Sequence, residues 1–153
     1  MKKALVAIDE SPVSVSLIEY AFDFARKEGL DFLDFIHVTA PREIPMIISE
    51  PDHPADLPVP ERSLARERIR EMIVRHMENP DQPAVPFQLL VISGTPYEEI
   101  INQAEKEEYR YILIGHRGMS NVKRFFIGSV AAKVARHSPC SVLVYHPREK
   151  TES

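Results

Sequence analysis

The stretch YRYILIGHRGMSNVKRFFIGSVAAKVARHSPCSVLVY, residues 109–145, holds three of the chain's five glycines, Gly115, Gly118 and Gly128. It opens on one apolar run, YRYILIG, and closes on another, SVLVY. Between them GSVAAKVARHS has helical spacing and stops before Pro139. Short, continuous apolar runs are the pattern of strands buried on both faces of a parallel sheet. A strand, a glycine-containing connection, a helix and a second strand form one βαβ unit, which makes the two strands parallel.

Outside this unit three further runs read as strands: ALVAID (4–9), FLDFIHVT (32–39) and PFQLLVIS (86–93). Helical patterns separate them. SVSLIEYAFDFARKEG (14–29) puts Val15, Ile18, Phe22 and Ala25 on one face and ends at Gly29, a suitable C-terminal cap. ERSLARERIREMIVRHM (61–77) repeats the spacing with Ala65, Ile69, Met72 and His76. TPYEEIINQAEKEE (95–108) offers Thr95 as N-cap, Pro96 at the first helical position and Glu98 for a capping box. Strict strand–helix alternation predicts a five-stranded, parallel, doubly wound α/β sheet with helices on both faces. In such sheets ligands lie beyond the carboxyl ends of the strands, where the winding reverses. That rule selects Ile8 to Ser11 after the first strand, Val38 to Pro41 at the end of the second, and Gly115 onward after the fourth; Ala7, Ile8, Asp9, Ser11, Val38, Ile114 and Gly115 are the candidate binding residues at these ends.

At 153 residues and 44% hydrophobic content the chain suits one domain, assigned to residues 1–147 with a short tail, 148–153. No run reaches the roughly 18–20 apolar residues of a membrane span, and MKKALVAIDES turns acidic too early for a secretory leader. A cytoplasmic location is expected. The lone Cys140 excludes an intramolecular disulfide and a cysteine-based zinc cage, and reads as a small buried residue. The six histidines form no His-x-x-x-His or His-Glu-x-x-His pair, so no metal site is expected. His116 stands out by lying between two of the glycines. Phe125 and Phe126 read as packing or interface residues.

Charge is unevenly placed. From Tyr109 to Arg148 there is no Asp or Glu, while Arg110, Arg117, Lys123, Arg124, Lys133, Arg136 and Arg148 contribute seven positive charges. The rest of a chain of net charge −4 therefore carries −11. A local anionic ligand fits this better than nucleic acid, which would want a basic stripe with interleaved aromatics. An ordinary solvated basic face fits it too. Residues 40–60, APREIPMIISEPDHPADLPVP, hold six of the 13 prolines and leave the ligand-facing end of the second strand. Three readings stay open for this segment: a lid, a disordered stretch or a packed crossover.

The glycine connection lacks the Gly-Lys-Ser/Thr of a Walker loop and the tight spacing of a dinucleotide fingerprint. Glycines there let backbone N–H groups approach an anion, through positive φ angles that form a concave nest. The helix starting near Gly128 adds its dipole. Ser129 adds a hydroxyl, or simply caps the helix. The spacing Gly115, two residues, Gly118, nine residues, Gly128-Ser129 resembles the ATP-binding signature of the universal stress protein A family, and the order of strands from ALVAID to SVLVY resembles that family's domain.

The resemblance implies an adenine nucleotide alpha hydrolase-like sheet of order 3-2-1-4-5. It implies that Asp9 contacts the nucleoside and that the backbone at Val38 meets the adenine edge. Gly115, Gly118, Gly128, Ser129 and Val130 would follow the ribose and phosphates, with Arg117 nearby. Two positions depart from the family pattern: Glu10, where Gly is frequent, and Ala131, where a hydroxyl residue is frequent. The implied cofactors are ATP and Mg2+, and the implied role is a nucleotide-dependent regulatory or stress-response module. In the family's order the last strand, Ser141 to Tyr145, lies at a sheet edge, and pairing with a second copy there would give a homodimer. No membrane or nucleic-acid partner is expected. The competing readings are a nucleotide-independent dimeric interaction module and a slow ATPase. A nucleotidyl transferase or ATP pyrophosphatase would need a His-rich or Ser-Gly-Gly type loop where DESPVS stands.

Overall fold

The computed structural model describes residues 1–40, 60–118 and 127–148. The readings made of residues 41–59, and of Lys123, Arg124, Phe125 and Phe126, lie outside the described residues. The chain runs β1 (Lys3–Ala7), α1 (Pro12–Glu28), β2 (Phe32–Thr39), α2 (Pro60–Arg75), β3 (Phe87–Ser93), α3 (Pro96–Lys106), β4 (Tyr111–Gly115), α4 (Ser129–His137) and β5 (Ser141–Tyr145). The strands form one parallel sheet in the order β3-β2-β1-β4-β5. Among the described residues no helix is long and apolar enough to cross a membrane.

Alternation along each strand sorts side chains into two cores. Ala4 and Val6 of β1, Leu33 and Phe35 of β2 and Leu89 and Val91 of β3 meet Leu17, Ile18, Ile69 and Ile73 of α1 and α2. Leu5 and Ala7, Ile36, Ile112 and Ile114 point to the other face, against Ile100 and Ala104 of α3 and Ala131 and Val134 of α4. Fully buried Phe35 sits between Phe22 and Phe87, with ring centroids 5.6 and 5.8 Å away. Truncating such a ring typically costs about 3–5 kcal/mol.

The helix ends follow local chemistry. Ser11 caps α1 by accepting the Ser14 N–H at 3.3 Å, and Gly29 closes it at φ 64°, a left-handed conformation that glycine adopts without Cβ strain. The buried face of α1 is rotated from the expected one. Val13, Leu17, Ile18, Ala21 and Ala25 are buried, whereas Val15 and Phe22 are half-buried, since which residues of a helix go deepest is set by its packing partners and not by spacing alone. On α2 the deep positions are Ala65, Ile69 and Ile73, with Met72 at the margin; the helix ends at Arg75, so His76, half-buried, and Met77, buried, follow it. The capping box on α3 does not form. Thr95 occupies the N-cap but makes no side-chain cap bond, and Glu98 instead accepts the Tyr97 hydroxyl at 3.1 Å. Cys140 is half-buried rather than enclosed, with its N–H donating to Ser138 Oγ at 3.1 Å.

At the amino-terminal pole of the sheet, Asp34 is 1% exposed on β2. The Tyr109 hydroxyl donates to its Oδ2 at 2.5 Å, and Lys3 Nζ lies 3.9 Å from the same oxygen while also pairing with Glu107. Gln103 Nε2 donates to the Tyr109 hydroxyl oxygen at 3.1 Å. Burial, and then the bond to Asp34, push the Tyr109 hydroxyl above its ordinary range, so it stays a donor. Since Asp34 Oδ1 is buried with no partner among the described residues, the Tyr109 bond is the main compensation for burying this carboxylate. Tyr109→Phe is expected to cost about 1–3 kcal/mol in urea unfolding. Tyr111→Phe, whose hydroxyl makes only a 3.4 Å contact with exposed Glu28, is expected to stay within about 0.5 kcal/mol of the parent.

Candidate functional site

From β1 the chain winds outward through β2 to β3, then returns to place β4 and β5 on the other side of β1. The connections after β1 and β4 therefore leave in opposite directions, and a crevice opens between the carboxyl ends of these two strands. A cavity of ≈ 230 Å³ occupies it.

Its inner wall is apolar. Ile36 and Val38 come from β2, Ile114 from β4, Pro96 and Ile100 from the first turn of α3, and Ala131 from α4. Ala7 and Ile8 line it where β1 ends. The polar side is made by Asp9, Ser14, Arg117, Ser129, Val130 and the three glycines Gly115, Gly118 and Gly128. Ser11 is the one sequence-predicted residue outside the lining. It is 1% exposed and serves as the α1 cap, holding Asp9 from behind.

Asp9 is fixed by its neighbours. Its Oδ1 accepts the Ser11 N–H and the Ser14 hydroxyl, both at 2.9 Å, while its own N–H donates to Ser14 Oγ at 2.9 Å. One carboxylate oxygen is thus committed to the start of α1. The other, Oδ2, faces Gly118, where an added Cβ would come within 2.7 Å of it.

The glycines act by close approach and not by the expected positive φ. Among the described residues positive φ occurs only at Gly29 and Gly94. At Gly115 a Cβ would meet Val13 Cγ1 of α1 at 2.7 Å, and at Gly128 it would meet Arg117 Cα and the His116 carbonyl oxygen at 3.3 Å. At these three positions the backbone is drawn so tightly against Asp9, α1 and the His116–Arg117 backbone that a side chain is excluded, and none of the three has a positive φ.

Gly128, not Ser129, is the N-cap of α4, and its own N–H is used by the His116 carbonyl at 2.6 Å. The first helical bond runs from Ala132 N–H to the Gly128 carbonyl at 3.0 Å. The N–H groups of Ser129, Val130 and Ala131 consequently have no acceptor within the helix, and all three residues line the cavity. No acidic residue occupies this first turn, so the helix dipole presents about half a positive charge there.

Glu10 turns away. Arg68 Nε of α2 donates to its Oε1 at 2.8 Å, and Glu10 does not line the cavity. His116, by contrast, is 6% exposed, and its ring stacks on His146 with centroids 4.0 Å apart. Burial first, then His146 and Arg117, hold its imidazole below the ordinary value, against an opposing contribution from the Tyr145 backbone.

Four lining residues escaped the sequence reading. Ile36 lies two positions before Val38 on the same strand face, a signal that period-two counting contains. Ser14 belongs to the DESPVS turn but becomes visible only through its bonds to Asp9. Pro96 and Ile100 reach the cavity because α3 crosses back over the β2 end, a tertiary placement without a local signature. A second cavity, ≈ 310 Å³, lies between α1 and the α2–β3 connection; its rim balances Glu19, Asp23 and Glu78 against Arg26, Arg75 and His76, and it is remote from the strand carboxyl ends.

Residues 1–146 match the Universal stress protein family. Universal stress protein YxiE of Bacillus subtilis is 28% identical over 151 residues, covering 93% of this chain and 97% of that protein. Two solved structures share the fold: a universal stress protein in complex with cAMP (TM-score 0.67, 20% identity, 95% and 96% of the two chains covered), and one from Archaeoglobus fulgidus in complex with dAMP (TM-score 0.63, 18% identity, 94% and 97% covered). With the match spanning both cores, the crevice and the glycine connection, the chain belongs to the universal stress protein family.

Proposed function

We propose that the chain is an ATP-binding regulatory protein of the stress response, acting in the cytoplasm, with Mg2+ carried in on the phosphates. The observation that supports this most directly is the convergence of Asp9 Oδ2, the side-chain-free surface at Gly118 and three α4 residues whose N–H groups have no acceptor within the helix on one cavity with an apolar inner wall. An adenine ring suits the slot between Val38, Ile100 and Ile114, and the ribose hydroxyls suit the free carboxylate oxygen. Phosphate oxygens suit the α4 N-terminus and Arg117. Asp9 is the single carboxylate lining the cavity among the described residues and is taken by the nucleoside, so Mg2+ would be held by the phosphate oxygens and water. The adenine mononucleotides named with the two related structures are in keeping with this reading.

Gly118→Val tests it. The new side chain would collide with Asp9 Oδ2 and fill the approach to the cavity, while the backbone there, not being at positive φ, accepts it. Calorimetry is expected to show ATP binding to the parent chain and a loss of at least about tenfold, or 1.4 kcal/mol, in the variant, with cooperative unfolding retained. No binding to the parent chain, or equal binding in both, contradicts the proposal.

Assembly as a homodimer through β5 is part of the same proposal. β5 ends the sheet, and Val142, Leu143, Val144 and Tyr145 are only half-buried, an apolar edge with no charge or proline inside it. Antiparallel pairing with a twofold copy covers that edge. Light scattering at micromolar concentration is expected to report a dimer, and Val142→Lys a monomer; a monomeric parent chain rejects the interface.

The protein is further proposed to bind and switch rather than turn over. Water attack on a phosphate requires a group to orient the water, and Glu10, next in the chain to Asp9, is engaged by Arg68. Single-turnover hydrolysis is expected to run far below roughly 1 per second and to be unchanged in Glu10→Gln. Faster turnover that disappears in this variant would make the protein an ATPase.

A further inference from the structure

Three parts of the molecule are fastened at the peptide of His116. Its N–H donates to the Tyr145 carbonyl at the end of β5 at 2.8 Å, and its carbonyl accepts the Gly128 N–H at the start of α4 at 2.6 Å. Gly115 and Tyr145 are register partners, so the residues that follow them, His116 and His146, are carried side by side by the ladder itself. Their rings lie 4.0 Å apart at an interplanar angle of 24°. His116 Nδ1 is buried and has no partner among the described residues.

His146 Nδ1 lies 3.0 Å from the Pro147 carbonyl, an acceptor for a proton on that ring, whereas a proton on His116 Nδ1 has no partner among the described residues. Arg117 follows on the same connection, His146 faces the ring from the end of β5, Val13 of α1 packs against the adjoining Gly115, Glu19 of α1 acts on Tyr145 next to His146, and the first turn of α4 has no acid. No Asp or Glu occurs between Tyr109 and Arg148. The Tyr145 backbone is the one group acting in favour of the charged ring. Two imidazolium rings at stacking distance would repel each other, and a single proton on His116 would place an N–H without a partner among the described residues in the interior.

We propose that the His116–His146 stack is an acid-released latch: protonation parts the rings, breaks the His116 bonds to Gly128 and Tyr145, and frees the start of α4 from the ends of β4 and β5. The direction follows from linkage. Because burial and the neighbouring cationic groups depress the His116 value in the closed form, the open form binds more protons. The latch has its full strength above the ordinary histidine value of about 6.5 and loses it as the pH falls from there towards the lowered value of the closed form. The latch goes beyond nucleotide binding, since it operates in the nucleotide-free protein and shapes the cavity wall whatever enters it.

NMR on the full, nucleotide-free chain tests it without any ligand. The His116 Hε1 resonance is expected to titrate below about 6.5, and the hydrogen-exchange protection of the Gly128 amide, corrected for intrinsic exchange, to fall about tenfold or more between pH 7.5 and 5.5. The Leu113 amide within β4 should keep its protection. In the double variant His116→Gln, His146→Gln the protection at Gly128 should no longer depend on pH. A His116 that titrates at or above the ordinary value, constant Gly128 protection in the parent chain, or an undiminished fall in the double variant would each overturn the latch. The first two outcomes are read on the parent chain and do not depend on the variant's folding.

Discussion

The parallel pairing of β1 with β4, from Ala4 beside Tyr111 to Ala7 beside Ile114, is the contact on which the rest of the structure depends. Every other neighbouring pair in the sheet joins strands consecutive in the chain, whereas this one brings together segments more than one hundred residues apart. It decides where the winding reverses, and hence where a crevice is left between two connections that leave in opposite directions. Both cores meet across it. Val6 and Leu113 face α1 while Leu5 and Ile112 face α3 and α4, so a one-residue slip in this register would exchange the faces of a whole strand.

Crowding at that junction explains the glycines better than conformational freedom does. Val13 of α1 presses on Gly115, Asp9 on Gly118, and the His116–Arg117 backbone on Gly128. These three contacts bring α1, the β1 end and α4 close enough for one carboxylate oxygen and the α4 N–H groups to share a single small volume. The same requirement would exist in an empty structure. Glycine spacing by itself consequently reports tight packing first, and its link to a ligand comes from what the packing brings together: a half-committed carboxylate and N–H groups without acceptors.

Much of this was legible in the sequence because its signals were local. Apolar runs marked β2 and β5 to the residue, Gly29 marked the end of α1, and Pro139 the stop after α4. Alternation also carried the winding rule, which pointed to Asp9, Val38 and Gly115 before any packing was known. Illegible features were those decided across the fold. The depth of Val15 and Phe22 depends on how α1 lies on the sheet, and Pro96 and Ile100 reach the cavity only through the path of α3. Strand order followed from the family resemblance, since alternation is equally compatible with other doubly wound orders. Thr95 and Glu98 had the residue types of a capping box, yet Tyr97 offered Glu98 a different donor.

Charge placement ties the two ends of the molecule into one electrostatic design. At the amino-terminal pole a buried carboxylate, Asp34, is balanced by the Tyr109 hydroxyl and Lys3. The segment from Tyr109 to Arg148, which builds β4, the glycine connection, α4 and β5, carries no carboxylate at all. Its fixed field, reinforced by the α4 dipole, favours an anion at the cavity and disfavours any extra proton beside it. The proposed attraction for phosphate draws on this absence, and the lowered proton affinity of His116, set first by burial, is left without a carboxylate of its own segment to offset it. A single acidic residue placed near His116 would relieve the buried imidazolium and weaken the proposed anion site together, so the two proposals are physically bound to each other in this chain.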